Sequence, residues 1–176
     1  MSIPTSSPVD VSDLDRIRWR IDPDRSKLEF HTKTLWGLVT VKGHFSRYQG
    51  TLDLAGQPSI ELTIEAESLD TENRKRDEHL RSPDFFNIAE HPSIRFVSES
   101  ASLSGDVLKV RGHLHARGTR MPLELDATLR RVGSEVKVEA VTEADHRQLG
   151  MTWNRLGMLR GPSKLIVTGR LVQDGQ

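Results

Sequence analysis

Residues 71–96 read TENRKRDEHLRSPDFFNIAEHPSIRF and combine three patterns in one short segment. Charged side chains dominate Glu72–Arg81, which has the composition of a short solvated helix. Ser82-Pro83 should end this helix, because a residue that precedes proline avoids the helical region of backbone space. Phe85-Phe86 follows at once and is too apolar for an ordinary exposed loop. The segment therefore predicts a short helical insert with an apolar end that covers other apolar residues.

On both sides of this insert, apolar and polar residues alternate with a period of two, which is typical of strands with one buried face. Examples are Ile60–Ala66 before the insert and Met121–Leu129 after it. Turn residues separate these runs at intervals of about 8–12 residues, and the resulting seven or eight strands predict an antiparallel meander, either a sandwich or a closed barrel. A second interruption, His146–Gly161, predicts a long loop or a bent hairpin.

The composition limits the remaining choices. A chain of 176 residues suits one domain, which we expect at residues 16–176. The polar residues 1–15, which include Pro4 and Pro8, are expected to form a flexible tail. The 25 basic and 25 acidic side chains balance, so there is no general attraction for nucleic acid. The absence of cysteine excludes disulfides, thiol catalysis and thiolate metal sites.

The N-terminal residues lack the basic start and apolar run of a signal peptide, and no stretch is apolar enough for a membrane span. The expected location is therefore the cytoplasm. A processed form of a periplasmic or secreted protein would have the same pattern.

The order of motifs across residues 19–172 is similar to that of one known family. Its landmarks are Trp19–Pro23, Val41–Phe45, the insert, Leu114–Leu123 and Arg147–Met151. Together they resemble the YceI-like family, although Leu149 stands where that family usually has an aromatic residue. The resemblance implies an all-β fold with a short helical insert, an extended eight-stranded antiparallel lipocalin-like β-barrel. It also implies that the barrel interior holds a long isoprenoid chain, such as a polyprenyl lipid or a quinone tail.

An isoprenoid chain needs an apolar wall that makes no hydrogen-bond demands, and a barrel of this size is wide enough to supply one. The alternation predicts the inward-facing residues of such a wall, which are Leu28, Phe30, Ile60, Leu62, Ile64, Ile94, Phe96, Leu108, Val110, Leu123, Leu125, Val136 and Val138. The same pattern is also typical of a solid core without a cavity.

The rim of the opening is predicted from the two segments that interrupt the strands. Phe85 and Phe86 are the candidates on one side, and Trp153, Leu156 and Met158 are the candidates on the other. Phe85 and Phe86 could equally form a permanent plug, and the sequence does not decide between a plug and a gate.

Asp77, His79 and Arg81 invite an acid/base interpretation, but residues two apart on a helix do not face each other. We expect them to fix the insert by hydrogen bonds, with contact to a ligand head group as the alternative. His113 and His115 lack a third ligand, so no metal site is predicted. The sequence contains no nucleophile elbow and no phosphate-binding loop.

The leading hypothesis is a non-enzymatic protein that binds, transports or sequesters a long isoprenoid or a similar amphiphile, without any other cofactor. The alternative is a stress-related protein-interaction module with a filled barrel. An enzyme acting on a bound lipid ranks last, because the inward set offers almost no polar groups. An apolar rim would also suit a homodimer.

Overall fold

In a computed structural model, which describes residues 17–175, the chain is built almost entirely of antiparallel strands. The expected tail at residues 1–15 lies outside the described residues. The elements are β1 (Arg18–Thr34), β2 (Val39–Phe45), β3 (Tyr48–Asp53), β4 (Ser59–Glu65), β5 (Leu69–Asp70), α1 (Arg74–Arg81), β6 (Ser93–Ser104), β7 (Val107–Ala116), β8 (Thr119–Val132), β9 (Glu135–Ala144) and β10 (Arg160–Gln173).

Strands β2 and β3 act as two halves of one bent strand, because β1 pairs with both. Residues 28–34 of β1 pair with β2, and Arg18–Arg20 of β1 pair with β3. The ring then runs through β4, β6, β7, β8, β9 and β10, and β10 pairs back with β1. The short β5 pairs with the end of β2. The prediction of a closed eight-stranded antiparallel barrel with a helical insert is confirmed.

Strand β1 is long and begins at Arg18. Its register against β10 shifts between Asp22 and Lys27. Pro23 lies in this interval, and proline cannot donate a hydrogen bond to a neighbouring strand. The Asp22 carboxylate instead accepts a hydrogen bond from Arg25 Nε at 2.8 Å. The apolar pattern is interrupted at this irregularity, although the strand itself is continuous.

The two ends of the barrel differ in what closes them. The end that carries the β3–β4, β6–β7 and β8–β9 turns, called here the lower end, holds Trp19, which is fully buried. The upper end carries four connections: the insert at residues 72–92, the short β1–β2 connection, the β7–β8 turn and residues 145–159 between β9 and β10. Sequence interruptions therefore converge at one end of the molecule.

Helix α1 begins two residues later than predicted and ends where predicted. The side chain of Asn73 accepts a hydrogen bond from the Arg76 backbone N–H at 3.0 Å, which caps the first turn. Ser82 is extended, as expected before Pro83. Within residues 17–175, no helix has the length and apolar character needed to cross a membrane.

Candidate ligand-binding cavity

The barrel encloses a cavity of about 480 Å³, a size that lies within the range of about 300–1,000 Å³ usual for small-molecule sites. Every strand of the ring contributes to its wall. The wall is aliphatic and aromatic because the inward positions of each strand are apolar, as the period of two requires. The interior is therefore not a solid core.

The structure places most of the predicted ligand-contacting residues on this wall. These are Leu28, Phe30, Ile60, Leu62, Ile64, Phe85, Phe86, Ile94, Phe96, Leu108, Leu123, Leu125, Val138, Trp153 and Met158. The other three do not line the cavity. Val110 and Val136 are each 1% exposed and belong to the packed core, and Leu156 is 77% exposed. Val136 is the second residue of β9, at the lower end of the barrel.

The inward set omitted several residues that do line the cavity. They are Leu165, Val167 and Leu171 of β10, Ala127 and Leu129 of β8, Ala140 of β9, and Leu149, Met151 and Leu159 of the β9–β10 connection. Ala127 and Leu129 continue the alternation of Leu123 and Leu125, Ala140 continues that of Val136 and Val138, and the β10 residues repeat it, so the phase of the pattern could have identified them. The connection residues carry no such signal.

The insert covers one side of the upper end with aromatic side chains. The Phe86 ring packs against Phe45 with centroids 6.1 Å apart, and Phe85 lies 5.5 Å from Trp153. His79 stands edge-on to both Phe85 and Trp153, at 5.1 and 4.5 Å. These contacts join the insert to the β9–β10 connection over the cavity.

Hydrogen bonds from three charged side chains attach the insert to the barrel. Asp77 is buried, and its Oδ1 accepts hydrogen bonds from the backbone N–H and the hydroxyl of Thr71 at 3.0 and 2.5 Å. Arg81 donates to the Leu69 carbonyl at 2.8 Å. Arg117, from the β7–β8 turn, donates to the carbonyl oxygens of Pro83 and Gly150. Asp77 and Arg81 are thus engaged in holding the insert.

His79 and His146 are the two imidazoles on the cavity wall. His79 Nε2 lies 2.8 Å from Asp84 Oδ2. Burial lowers the pKa of His146 below its usual value, with Asp145 acting in the opposite direction. The buried Nδ1 of His146 has no hydrogen-bond partner within the described part of the chain. A neutral imidazole with an unused nitrogen therefore borders the cavity.

The other side of the upper end is formed by residues 35–39 and 155–158, which we call the mouth tip. The two segments meet at a hydrogen bond from the Trp36 backbone N–H to the Met158 carbonyl at 3.2 Å. Leu35 and Met158 also line the cavity, and Leu35 is 41% exposed. The cavity therefore reaches the surface at the mouth tip, where most exposed side chains are apolar, Arg155 being the charged one, instead of the polar rim usual for a ligand site.

No group of three or more His, Asp or Glu side chains within residues 17–175 is arranged to hold a metal ion. His113 Nδ1 instead lies 2.9 Å from Glu99 Oε1 on the outside of the barrel.

Comparison with known families identifies this architecture. The sequence model of the YceI-like domain matches residues 19–171. The chain belongs to the YceI-like family. Among its curated YceI-like relatives, a UPF0312 protein of Pectobacterium atrosepticum is 36% identical over 106 residues, which cover 58% of this chain and 55% of the relative. Protein YceI of Salmonella arizonae is 36% identical over 103 residues, covering 56% and 54%. The chain thus spans about half the length of the curated relatives it matches.

Solved structures share the fold of this YceI-like chain at low sequence identity. BcnA of Burkholderia cenocepacia is 18% identical with a TM-score of 0.78, and the match covers 86% of this chain and 99% of BcnA. A polyisoprenoid binding domain from Saccharophagus degradans is 13% identical with a TM-score of 0.71, covering 90% and 99%. At these identities the likeness establishes the barrel fold.

Proposed function

We propose that the barrel binds a single isoprenoid chain, such as a polyprenyl lipid or a quinone tail, and thereby transports or sequesters it. The observation that carries this proposal is the apolar cavity of about 480 Å³, enclosed by the barrel of a YceI-like protein. The neighbour of the same fold from Saccharophagus degradans, a polyisoprenoid binding domain, supports the choice of an isoprenoid over other apolar ligands.

The chemistry of the wall suits a hydrocarbon that makes no directional bonds. Each buried CH₂ group contributes about 0.8 kcal/mol, so ten buried carbons give about 8 kcal/mol before the costs of association and ordering. That gross value corresponds to a dissociation constant near the micromolar range. Tight binding therefore requires the ligand to fill the cavity along its length, which favours a chain of many units over a short terpene.

The imidazoles of the wall favour an uncharged head group, and Arg76, a cation that also lines the cavity, already donates hydrogen bonds to the hydroxyl and carbonyl oxygens of Thr71. Burial keeps His146 neutral at pH 7, because its pKa lies below the usual value. A neutral imidazole on the wall suits a prenyl hydroxyl or a quinone carbonyl better than a charged head group. His79, on the same wall, is held by Asp84 and packs between Phe85 and Trp153.

The proposal is of a binding protein and not of an enzyme. Catalysis on a lipid would require several polar groups converging on one reacting atom. Asp77, the buried carboxylate of the insert, has its Oδ1 occupied by two hydrogen bonds from Thr71 and does not line the cavity.

The second candidate, a protein-interaction module, is favoured by the exposed apolar side chains of the mouth tip. The interaction-module hypothesis predicted a filled barrel, and the cavity argues against a filled barrel.

The experiment compares two phenylalanine substitutions on neighbouring residues. Ala140 is 9% exposed and lines the cavity, opposite Ala127 on β8, whereas Val141 is 58% exposed on the outer face. The full chain and both variants are purified without detergent from a host that makes isoprenoids, and the extracted lipid is quantified by mass spectrometry. We expect Ala140→Phe to reduce the bound isoprenoid about tenfold and Val141→Phe to leave it unchanged. Equal lipid in all three proteins, or none in the unmodified chain, would refute the proposal.

A further inference from the structure

The mouth tip exposes large apolar side chains that a soluble surface does not need. Leu38 is 85% exposed, Leu156 77% and Trp36 52%, and they lie on two segments joined by a backbone hydrogen bond. Single exposed apolar residues are ordinary, but a cluster at the opening of a cavity marks a contact surface. Tryptophan is also the residue that favours the boundary between water and a lipid bilayer.

The backbone of the mouth tip is strained at the apolar residues themselves. Trp36 and Leu156 adopt φ angles of 55° and 57°, and the neighbouring Leu35 adopts 47°. These left-handed conformations favour Gly, Asn or Asp and disfavour bulky side chains. Nothing in the packing of Leu156 compensates for its conformation, since that side chain is mostly in water. Such strain is typical of functional segments.

The two chain segments that carry the mouth tip hold no carboxylate. Residues 30–52 and 146–173 contain no Asp or Glu, although the whole chain is neutral. Lys33 and Arg160 pair in register on β1 and β10, and like charges directly opposite each other are destabilising. Within the described residues, Lys33, Lys42, Arg155 and Arg160 form no ion pair with a carboxylate. The tip is therefore an apolar surface whose own chain segments carry cations without a carboxylate partner.

We propose that the mouth tip docks onto an anionic lipid bilayer. Trp36, Leu38 and Leu156 would enter the head-group region, and the surrounding lysines and arginines would meet lipid phosphates, a combination typical of proteins that lie on membranes. Docking itself needs no ligand; its use as a port for ligand entry rests on the proposed function.

The test is flotation of the full chain with vesicles of phosphatidylcholine alone or of phosphatidylcholine mixed with phosphatidylglycerol. We expect binding to the anionic vesicles only, weakened by added salt. Trp36→Asn combined with Leu156→Asn should reduce the partition coefficient about tenfold or more, because asparagine accepts the left-handed backbone but has no apolar side chain. Val132→Asn, at an exposed apolar position of the lower end, is the matched control and should not change binding.

Two double variants that each remove two positive charges test the electrostatic contribution to vesicle binding. Lys33→Gln combined with Arg160→Gln should weaken binding to anionic vesicles roughly fivefold for each charge removed. Lys109→Gln combined with Arg130→Gln removes two exposed cations outside the acid-free segments and should leave binding unchanged.

Three results would overturn the proposal. The first is equal binding to both vesicle types, and the second is an unaltered partition coefficient in the asparagine variant. The third is a dimer in light scattering that the asparagine variant dissociates while no vesicle binding occurs, because a second copy of the chain would then cover the tip. If the purified protein carries an isoprenoid but does not float with vesicles, docking fails and the proposed function stands.

Discussion

The two covers of the upper end, the insert and the mouth tip, are built in opposite ways. Asp77, Arg81 and Arg117 hold the insert through hydrogen bonds to backbone and side-chain groups of the barrel and its connections. The mouth tip is held across its two segments by one backbone hydrogen bond, and its largest side chains point into water. The aromatic segment is therefore the fixed cover, and the opening lies beside it.

The packing of Phe85 bears on the choice between a plug and a gate. This residue is 8% exposed and lies within 5.5 Å of both His79 and Trp153, measured between ring centroids. A gate would have to break these contacts at each opening, whereas the mouth tip could move with little loss of packing. The comparison therefore favours a plug.

The largest effect on stability is expected for Phe85→Ala. Truncation of a buried phenylalanine costs about 3 kcal/mol or more, and the change would also detach the insert from Trp153. We expect the melting temperature to fall by roughly 6–12 °C, since each kcal/mol shifts a chain of this size by about 2–4 °C. Thermal unfolding followed by circular dichroism measures it. An unchanged melting temperature with weakened lipid binding would show that Phe85 acts as a gate.

The hydrogen bonds of Asp77 give the next largest effect. Asp77→Ala leaves the buried N–H and hydroxyl of Thr71 without their acceptor, which costs about 2 kcal/mol. Asp77→Asn keeps one acceptor oxygen and should recover part of this loss. The adjacent Glu78 forms only an exposed ion pair with Arg74, so Glu78→Ala is the matched control and should unfold like the unmodified chain. Equal unfolding of the Asp77→Ala and Glu78→Ala proteins would mean that the insert is not anchored here.

The strands and the insert were predictable because their signals are local. The period of two identifies the inward faces, and Ser82-Pro83 marks the end of α1 in the sequence itself. Whether an inward side chain is covered by its neighbours is not a local property. Val110 and Val136 show the same alternation as Leu125 and Val138, and Val110 pairs directly with Leu125, but only Leu125 and Val138 border the cavity.

The mouth tip could not have been predicted from periodicity. Leu156 was expected at the rim as a cavity contact, and the structure turns it outward on a left-handed backbone. Trp36 and Leu38 belong to the turn between β1 and β2, and the sequence gives no sign that this turn meets residues 155–158. That meeting depends on the register of β1 against β10, which pairs Lys33 with Arg160.

A smaller effect is expected from the half-buried imidazole of His146, below the insert. Unfolding would restore its pKa to about 6.5, whereas burial holds the pKa lower in the folded chain. Between these two values the unfolded chain binds more protons, so stability rises with pH. The contribution is complete above about pH 6.5 and is lost as the pH falls towards the folded pKa.

The difference in unfolding free energy between the unmodified chain and His146→Gln isolates this contribution from the other histidines. We expect the unmodified chain to lose more stability than the variant on acidification from about pH 7.5 to about pH 5. If the unfolding free energies of the two proteins change in parallel with pH, His146 is hydrated. The assignment of a neutral imidazole to the cavity wall would then be wrong.

The smallest effect on stability is expected at the mouth tip. Leu156→Asn removes a side chain that is 77% exposed and places asparagine at a φ of 57°, a conformation that this residue tolerates. The lost contacts and the relieved strain should nearly cancel, within about 0.5 kcal/mol. Leu38→Asn is the matched control, because Leu38 is as exposed but has a φ of −78°, so there is no strain to relieve. A slightly higher melting temperature for Leu156→Asn than for Leu38→Asn is the expected order. A loss comparable to that of Asp77→Ala would mean that the tip is packed like the insert, and the contrast between a fixed cover and an open mouth would not hold.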